Sequence, residues 1–543
     1  MSTHKNSKRA ITLPLYIAIT LCVGVFIGAN MVGTSTTPTS DFMQSLNKFR
    51  QVLTHIENDY VDEVNSEDLV ESAITNMLED LDPHTSYIPA RDLELVQSRL
   101  EGNYEGIGVE FNIFRDTIHV VTPLSGGPSE KLGIRAGDKI VKVDGKNVAG
   151  TGMTNQKVVE LLRGPGGSEV TVTIKREGED ELIDYTIVRD VIPQYSVDVS
   201  YMVDDKIGYI KVARFANSTY LEFKEALLEL KDQGMEKLII DLTGNPGGYL
   251  NRAVQIADEL LGGNQMIVYT DGKEKRYSEE HYSGDPGDFE EGSLVIMVDE
   301  GSASASEIVA GAIQDHDRGL IIGRRSFGKG LVQMPIDLND GSELRLTISR
   351  YYTPSGRSIQ KTYTGGNLDE YYMEAYERFQ NGEVYSSDSI KVNDTLEFRT
   401  DKGRIVYGGG GITPDIFVPL DTTYTSRYLN KLFSTNSIQE YTLKYAQDNR
   451  AKIEEMGLDQ FRSEFQISDA MLKDLVSIAE ENKLKFNEAE FNRSKKLLKQ
   501  LTKAYIARGI WDNDGFYPIF NEQDEIFLQA IRMMDEADKI AKQ

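Results

Sequence analysis

Three short stretches put residue types that hydrolases use where the backbone can assist them. In VDEGSASASEIVAGA (298–312) an apolar, strand-like run gives way to small residues and then to a helical pattern. Ser302, Ser304 and Ser306 fall at that junction. A hydroxyl at a helix start lies near unpaired N–H groups and the positive end of the macrodipole, which favour negative charge. The same N–H groups can hold a tetrahedral oxyanion, so acyl transfer is the chemistry this junction suits. The residues also spell a capping box, with Ser304 as N-cap and Glu307 at N3, so the pattern alone allows a purely structural use.

In GRRSFGKGLVQ (323–333), Lys329 stands between two glycines at the start of a strand-like run. A lysine acts as a base only when neutral. Lowering its pKa by about three units from ~10.4 costs roughly 4 kcal/mol, which burial can supply. The other uses of such a residue are a surface lysine or a phosphate loop, but Gly330 breaks the GxxxxGK[ST] pattern. In IIDLTGNPGGYLN (239–251) a strand ends in a turn where Gly247 and Gly248 offer bare backbone N–H groups, or serve only as a strand-to-helix turn. His316, twelve positions past Ser304, offers a histidine base on paper.

A fourth stretch suits binding rather than chemistry. YEGIGVEF (104–111) opens a strand with Gly106-Ile107-Gly108, whose N–H groups can receive a terminal carboxylate while an extended peptide joins the sheet edge. Ile107, Val109 and Phe111 would line the adjoining pocket and prefer an apolar last residue. LSGGPSEKLGIRAGDKIVKVDGKNV (124–148) adds the small-residue turn, short helix and Asp-Gly turn of the same small module.

The elements that must position these residues are legible in outline. A chain of 543 residues exceeds one domain, and a hydrophobic fraction of 40% supports ordinary cores. The balance of 59 basic against 86 acidic residues gives a net charge of −27, which repels phosphate backbones and argues against nucleic acid as a partner. Cys22 is the only cysteine, so no intrachain disulfide forms. No histidine sits in an HExxH pattern or at zinc spacing, so no metal or organic cofactor is expected.

Lys5, Lys8 and Arg9 precede the apolar run Ile11–Ala29, whose 19 residues are near the ~20 that span a bilayer. An uncleaved anchor with the rest of the chain outside the cytoplasm is expected. Cleavage of the run as a signal peptide, with release to the periplasm, is the alternative. Helical periodicity fills 41–100, short strands with glycine turns fill 104–193, and a β-α-β-α rhythm fills 206–360. Residues 362–400 read as a polar, irregular insertion, and helices dominate after 421.

The motifs LDPHTSYI, YEGIGVEF, GIRAGDKIVKVDG, LLRGPGG, DLTGNPGG, GSASASEI, FGKGLVQ, LTISRYYTPSGRSIQ and GITPDI occur in this order over about 45–420. In these the chain resembles the carboxyl-terminal processing peptidases, or tail-specific proteases. The resemblance implies Ser304 as nucleophile, Lys329 as general base, Gln333 orienting the lysine, and oxyanion N–H groups from Ala305 and from Gly247 or Gly248. It also identifies residues 102–193 as a PDZ domain that captures substrate C-termini. Arg163, in the turn after the helix of that module, is a candidate charge for sensing the bound tail or the protease core, or else an ordinary solvated helix-end arginine. Thr243 departs from the pattern, since many relatives carry arginine after Asp-Leu.

The fold class implied is α/β and multidomain. Its parts are a segment 1–33 that anchors, a helical region 41–100, a PDZ-like partly open β-barrel 102–193, an α/β serine protease core 195–420 and a helical extension 421–543. The function implied is endoproteolysis of extracytoplasmic proteins near free C-termini, with homo-oligomers possible. A catalytically inactive PDZ scaffold that tethers C-termini is the alternative.

Overall fold

The computed structural model describes residues 39–542, except 125, 285, 364–366 and 392–393. The run Ile11–Ala29 lies outside these residues. Among the described residues, no helix is long and apolar enough to cross a membrane. The described residues divide into two compact units, one up to Asn76 and one from Met77 onward. Within the first, helix Thr39–Asp59 leaves Phe42, Leu46 and Phe49 exposed.

The second unit is organised by a six-stranded sheet. Its order is Val197–Met202, Ile207–Val212, Lys237–Asp241, Ser293–Val298, Leu320–Gly323, Ile416–Phe417, with only the first pair antiparallel. Every residue of Ile207–Val212 and Ser293–Val298 is buried, as expected of central strands covered on both faces. A parallel sheet must be covered on both faces. One face packs on helices Thr219–Asp232, Leu250–Asp258 and Ala305–Asp315 through Phe223, Leu227, Ile256, Ile308 and Val309. The other is covered from the far end of the chain, by Ile526, Phe527 and Ala530 of helix Glu525–Arg532 and Met534 and Ala537 of helix Met534–Lys542. The last helices thus belong to the core of this sheet. The helices between Arg427 and Phe520 form a separate apolar cluster around Leu432, Phe461, Leu475 and Leu501.

The strands at 104–193 form their own sheet, Val109–Phe114, Thr117–Pro123, Lys139–Val143, Glu169–Lys175, Ile183–Val188, closed over helix Asn155–Leu162 around Ile118, Ile140, Val158 and Val172. Asn103–Gly106 pairs with Asp190–Pro193 where the chain enters and leaves this module.

A further antiparallel sheet brings distant segments together. Glu343–Tyr352 pairs with Leu331–Asp337, with Met266–Gly272, and with the short strand Ser86–Ile88. That last pairing carries the LDPHT segment to the protease core. Residues 362–400 are not irregular throughout, because helix Leu368–Gln380 lies within them. Its only fully buried residues are Tyr371 and Arg378, so it lacks the apolar stripe that periodicity detects.

Candidate active site

Strand Ser293–Val298 delivers the chain to a turn in which the three serines have different fates. Ser302 Oγ donates to Leu242 O at 2.7 Å, and Ser306 Oγ donates to Asn245 O at 3.0 Å. Both are fully buried and tie the turn to the adjacent 242–248 loop. Ser304 between them is only half-buried and has φ 56° and ψ −112°, a backbone region costing on the order of 1–3 kcal/mol for a non-glycine residue. Its strain is held by its neighbours. Ser304 N donates to Glu307 Oε2 at 2.8 Å, and the helix Ala305–Asp315 begins at the next residue.

Glu307 does more than start that helix. It is fully buried, and its carboxylate accepts four hydrogen bonds: Ser304 N at 2.8 Å and Lys329 N at 2.9 Å on Oε2, Ser326 Oγ at 2.5 Å and Gly328 N at 2.8 Å on Oε1. Burial pushes its pKa above the usual carboxylate value, and the four donors oppose that rise. Tyr351, also buried, puts its hydroxyl 3.0 Å from the Ser304 carbonyl and within hydrogen-bond reach of the Lys329 carbonyl. Two side chains thus bridge the backbones of Ser304 and Lys329, which lie 25 positions apart in sequence.

Lys329 is half-buried, and burial is the main cause that lowers its ammonium pKa below 10.5. Glu307 and Asp82 oppose this and Arg345 adds to it. The structure has no hydrogen bond between Ser304 Oγ and Lys329 Nζ; apo catalytic contacts are often long and tighten only with substrate. Gln333 does not reach Lys329 here. Its Nε2 donates to Thr347 Oγ1 at 3.1 Å across the strand pair, and Thr347 donates on to Asp82 Oδ1 at 3.1 Å.

The glycine turn packs directly against the nucleophile position. A Cβ on Gly247 would stand 2.7 Å from Ser304 Cβ and 3.0 Å from Ala305 N. Gly247 N is already donated to Asn245 Oδ1 at 2.8 Å. Among the described residues, no acceptor takes the N–H of Gly248 or of Ala305. Thr243 is tied to the neighbouring strand. Buried Lys211 donates to Thr243 O at 2.6 Å, Thr243 Oγ1 at 2.9 Å and Asp241 Oδ1 at 3.0 Å.

Residues of the LDPHTSYI motif, to which the sequence assigns no individual role, complete the surroundings. Asp82 closes the LDPHT turn by accepting from His84 N at 2.8 Å and Thr85 N at 2.9 Å. His84 is pushed down to about 3, by burial first and then by the charge of Lys329. The motif LDPHTSYI marks this segment in the sequence, and its Asp-Pro-His-Thr spelling is that of an Asx-type turn. His316 is turned to another duty, with Nδ1 2.7 Å from Asp401 Oδ2 and Nε2 2.6 Å from Met266 O.

The proposed peptide groove is a separate cavity of about 100 Å³. Ile107, Gly108, Val109, Phe111 and Arg163 line it, with Tyr104 and Gln194. Gly106 sits beside it, its α-carbon facing Tyr104 and Arg163. Among the described residues, nothing accepts from the N–H groups of Ile107 and Gly108. Arg163 stacks 4.2 Å over the Tyr104 ring and donates to Ser98 Oγ at 3.1 Å.

The chain matches the model of peptidase family S41 over residues 206–369 and a PDZ domain model over 119–176. Residues 27–91 match the N-terminal domain of the activating protease CtpB, and 428–512 match a family of unknown function. It is 37% identical to a carboxy-terminal-processing protease of Bartonella bacilliformis over 62% of this chain and 78% of that one. Among solved structures, it resembles a photosystem II D1 C-terminal processing protease at 27% identity and TM-score 0.34, covering 68% of this chain and 86% of the other. The PDZ domain of a Vibrio cholerae carboxy-terminal protease, solved with a peptide, matches at 33% identity and TM-score 0.15 over 17% of this chain and 97% of the other.

Proposed function

The chain belongs to peptidase family S41, among the carboxy-terminal-processing serine proteases, and we propose that it cleaves proteins near free C-termini with Ser304 as nucleophile and Lys329 as general base. The observation that carries this reading is the shared anchoring of the two residues. Glu307 and Tyr351 hold both backbones at one buried hub, while Ser302 and Ser306 are committed elsewhere. On this reading Ser304 Oγ attacks the scissile carbonyl as its proton passes to Lys329 Nζ. The oxyanion forms against the N–H groups of Ala305 and Gly248, since that of Gly247 is occupied by Asn245. Lys329 then protonates the departing amine, and water, deprotonated by the lysine, releases the acyl group. Gln333 would support the lysine through its Oε1, the acceptor of the amide, while its Nε2 stays on Thr347.

A fluorophosphonate probe tests the enzyme assignment. It should label Ser304 alone, as read by peptide mapping; a scaffold that merely tethers C-termini would stay unlabelled. Applied to intact cells in membrane-impermeant form, the same probe reads whether the catalytic part lies outside the cytoplasm. Lys5, Lys8, Arg9 and the run Ile11–Ala29 favour that placement.

Substrate selection is proposed to lie in the groove at Ile107 and Gly108, whose N–H groups would take the terminal carboxylate. Arg163 stands at the same cavity, stacked on Tyr104, as the charge through which a bound tail would be felt. Capture raises the local concentration of the tail at Ser304 without a new contact at the scissile bond. Amidating a peptide's C-terminus should therefore lower kcat/KM about 10-fold or more, through KM, the loss of one charge-assisted site of ~1.5–3 kcal/mol. Equal kcat/KM for matched acid and amide peptides would count against the groove and leave the dyad untouched.

A further inference from the structure

The inserted segment 362–400 reaches the loop that carries Lys329. Residues 324–328 lie between strands Leu320–Gly323 and Leu331–Asp337, so their backbone groups need partners outside any ladder. The N–H of Ser326 goes to Ile412 O at 3.0 Å and that of Phe327 to Ser302 O at 2.9 Å. The carbonyls of Arg325, Ser326 and Phe327 go to one side chain. Arg378, from helix Leu368–Gln380 and 4% exposed, donates Nη1 to Ser326 O at 2.7 Å and Arg325 O at 3.3 Å, and Nη2 to Phe327 O at 3.2 Å. Its Nε donates to Glu374 Oε1 at 2.6 Å, which fixes the guanidinium plane.

The same helix holds the other side of the site. Tyr371 Oη lies 2.9 Å from His84 Nε2, and Tyr372 Oη donates to Pro83 O at 3.2 Å. Buried Lys361, whose N donates to Gly328 O at 3.0 Å, sends Nζ to Tyr371 O at 3.0 Å and Glu374 Oε2 at 3.1 Å. Arg325 is held by Glu383 at 2.5 and 2.9 Å, from just beyond the helix. Three buried cations of the loop region and helix are thus matched by two carboxylates of the insertion.

We propose that the insertion is a clasp that positions the general base, with Arg378 as its central positioning residue. Arg378 grips the three carbonyls immediately before Gly328-Lys329 and so sets where the lysine stands. The proposal rests on the assignment of Lys329 as base. Arg378 donates no hydrogen bond to Lys329 itself. The charged and titratable groups that act on the amine are Glu307 from its helix, Asp82 and His84 from the turn, and Arg345 from the facing strand. Removing Arg378 leaves all four in place but frees the loop. Water then reaches the amine, and lost desolvation raises its pKa.

Arg378→Ala is expected to lower kcat about 10- to 100-fold with KM little changed, and to move the acid limb of the kcat profile to higher pH. Arg378→Lys should recover only part of the loss, because an ammonium lacks the planar fork that spans three carbonyls and Glu374. Tyr371→Phe deletes only the hydroxyl at His84 and Gln360, and should move the acid limb in the same direction by less. A readout independent of turnover is the pH midpoint of Lys329 acetylation by acetic anhydride, followed by peptide mapping, which should rise in both variants. Wild-type kcat, acid limb and acetylation midpoint in folded Arg378→Ala, with Lys329→Ala inactive, would overturn the clasp alone. Activity retained by Lys329→Ala would overturn the base assignment beneath it. If Arg378→Ala does not fold, Tyr371→Phe decides, and unmoved midpoints there overturn the proposal.

Discussion

Ser304→Ala and Lys329→Ala are each expected to lower kcat/KM by about 10³-fold or more while leaving the fold intact. The two losses should not add in the double variant, because nucleophile and base act in one step. Lys329→Arg should be as inactive as Lys329→Ala, since arginine stays charged. The pH behaviour follows from the lowered lysine pKa. The acid limb of kcat/KM should report deprotonation of Lys329 at a pH below the ordinary 10.5. The same shift has a stability consequence of defined sign. Between the folded and unfolded pKa the unfolded chain binds the extra proton, so this group makes stability rise with pH across that window. Below the folded pKa its cost is fully present. Lys329→Met should therefore raise Tm at neutral pH, and the gain should vanish above the unfolded pKa of ~10.4. Turnover retained by Ser304→Ala or either inactive-base variant, measured on folded protein by calorimetry and peptide cleavage together, would defeat the dyad.

Glu307→Gln is expected to cost both stability and catalysis, although the two side chains have nearly the same shape. A carboxylate accepts at both oxygens, whereas an amide presents one oxygen and one donor. Whichever way the glutamine turns, two of the four groups Ser304 N, Lys329 N, Gly328 N and Ser326 Oγ lose their acceptor. Each buried group left unpaired costs ~1–3 kcal/mol, a large part of the ~5–15 kcal/mol that stabilises a native protein. Tm should fall by several degrees. kcat per probe-titrated site should fall about 10²-fold, as the strained Ser304 turn and the Lys329 loop relax apart. A variant with wild-type Tm and per-site kcat would reduce Glu307 to an ordinary helix-start residue.

How far the sequence led depends on the range of the interactions involved. Period-two and period-3.6 patterns are local, so the β-α-β-α rhythm read over 206–360 returns in the strands Ile207–Val212 and Ser293–Val298 and the helices beside them. Helix Leu368–Gln380 was not legible, because its buried face is an arginine and a tyrosine satisfied by partners up to 287 positions away. Gln333 is assigned to Lys329 by resemblance alone, and only the fold shows that its Nε2 is tied to Thr347 across the strand pair.

By itself, the sequence determined which residue types are available and their local setting. It set three serines at a strand-to-helix junction, a glycine-flanked lysine, a Gly-Asn-Pro-Gly-Gly turn, and a small β module ahead of an α/β core. Only the tertiary structure decided among them. It buried Ser302 and Ser306 on the 242–245 turn and left Ser304 accessible. It made Glu307 a four-way acceptor, and it drew the N-terminal LDPHT turn and the inserted helix around Lys329. It also covered the second face of the sheet with the last two helices of the chain. The physical reason is common to all four. A buried N–H, carbonyl, carboxylate or apolar face must find a partner, and the chain satisfies that demand with whatever group the fold brings near, at any sequence separation.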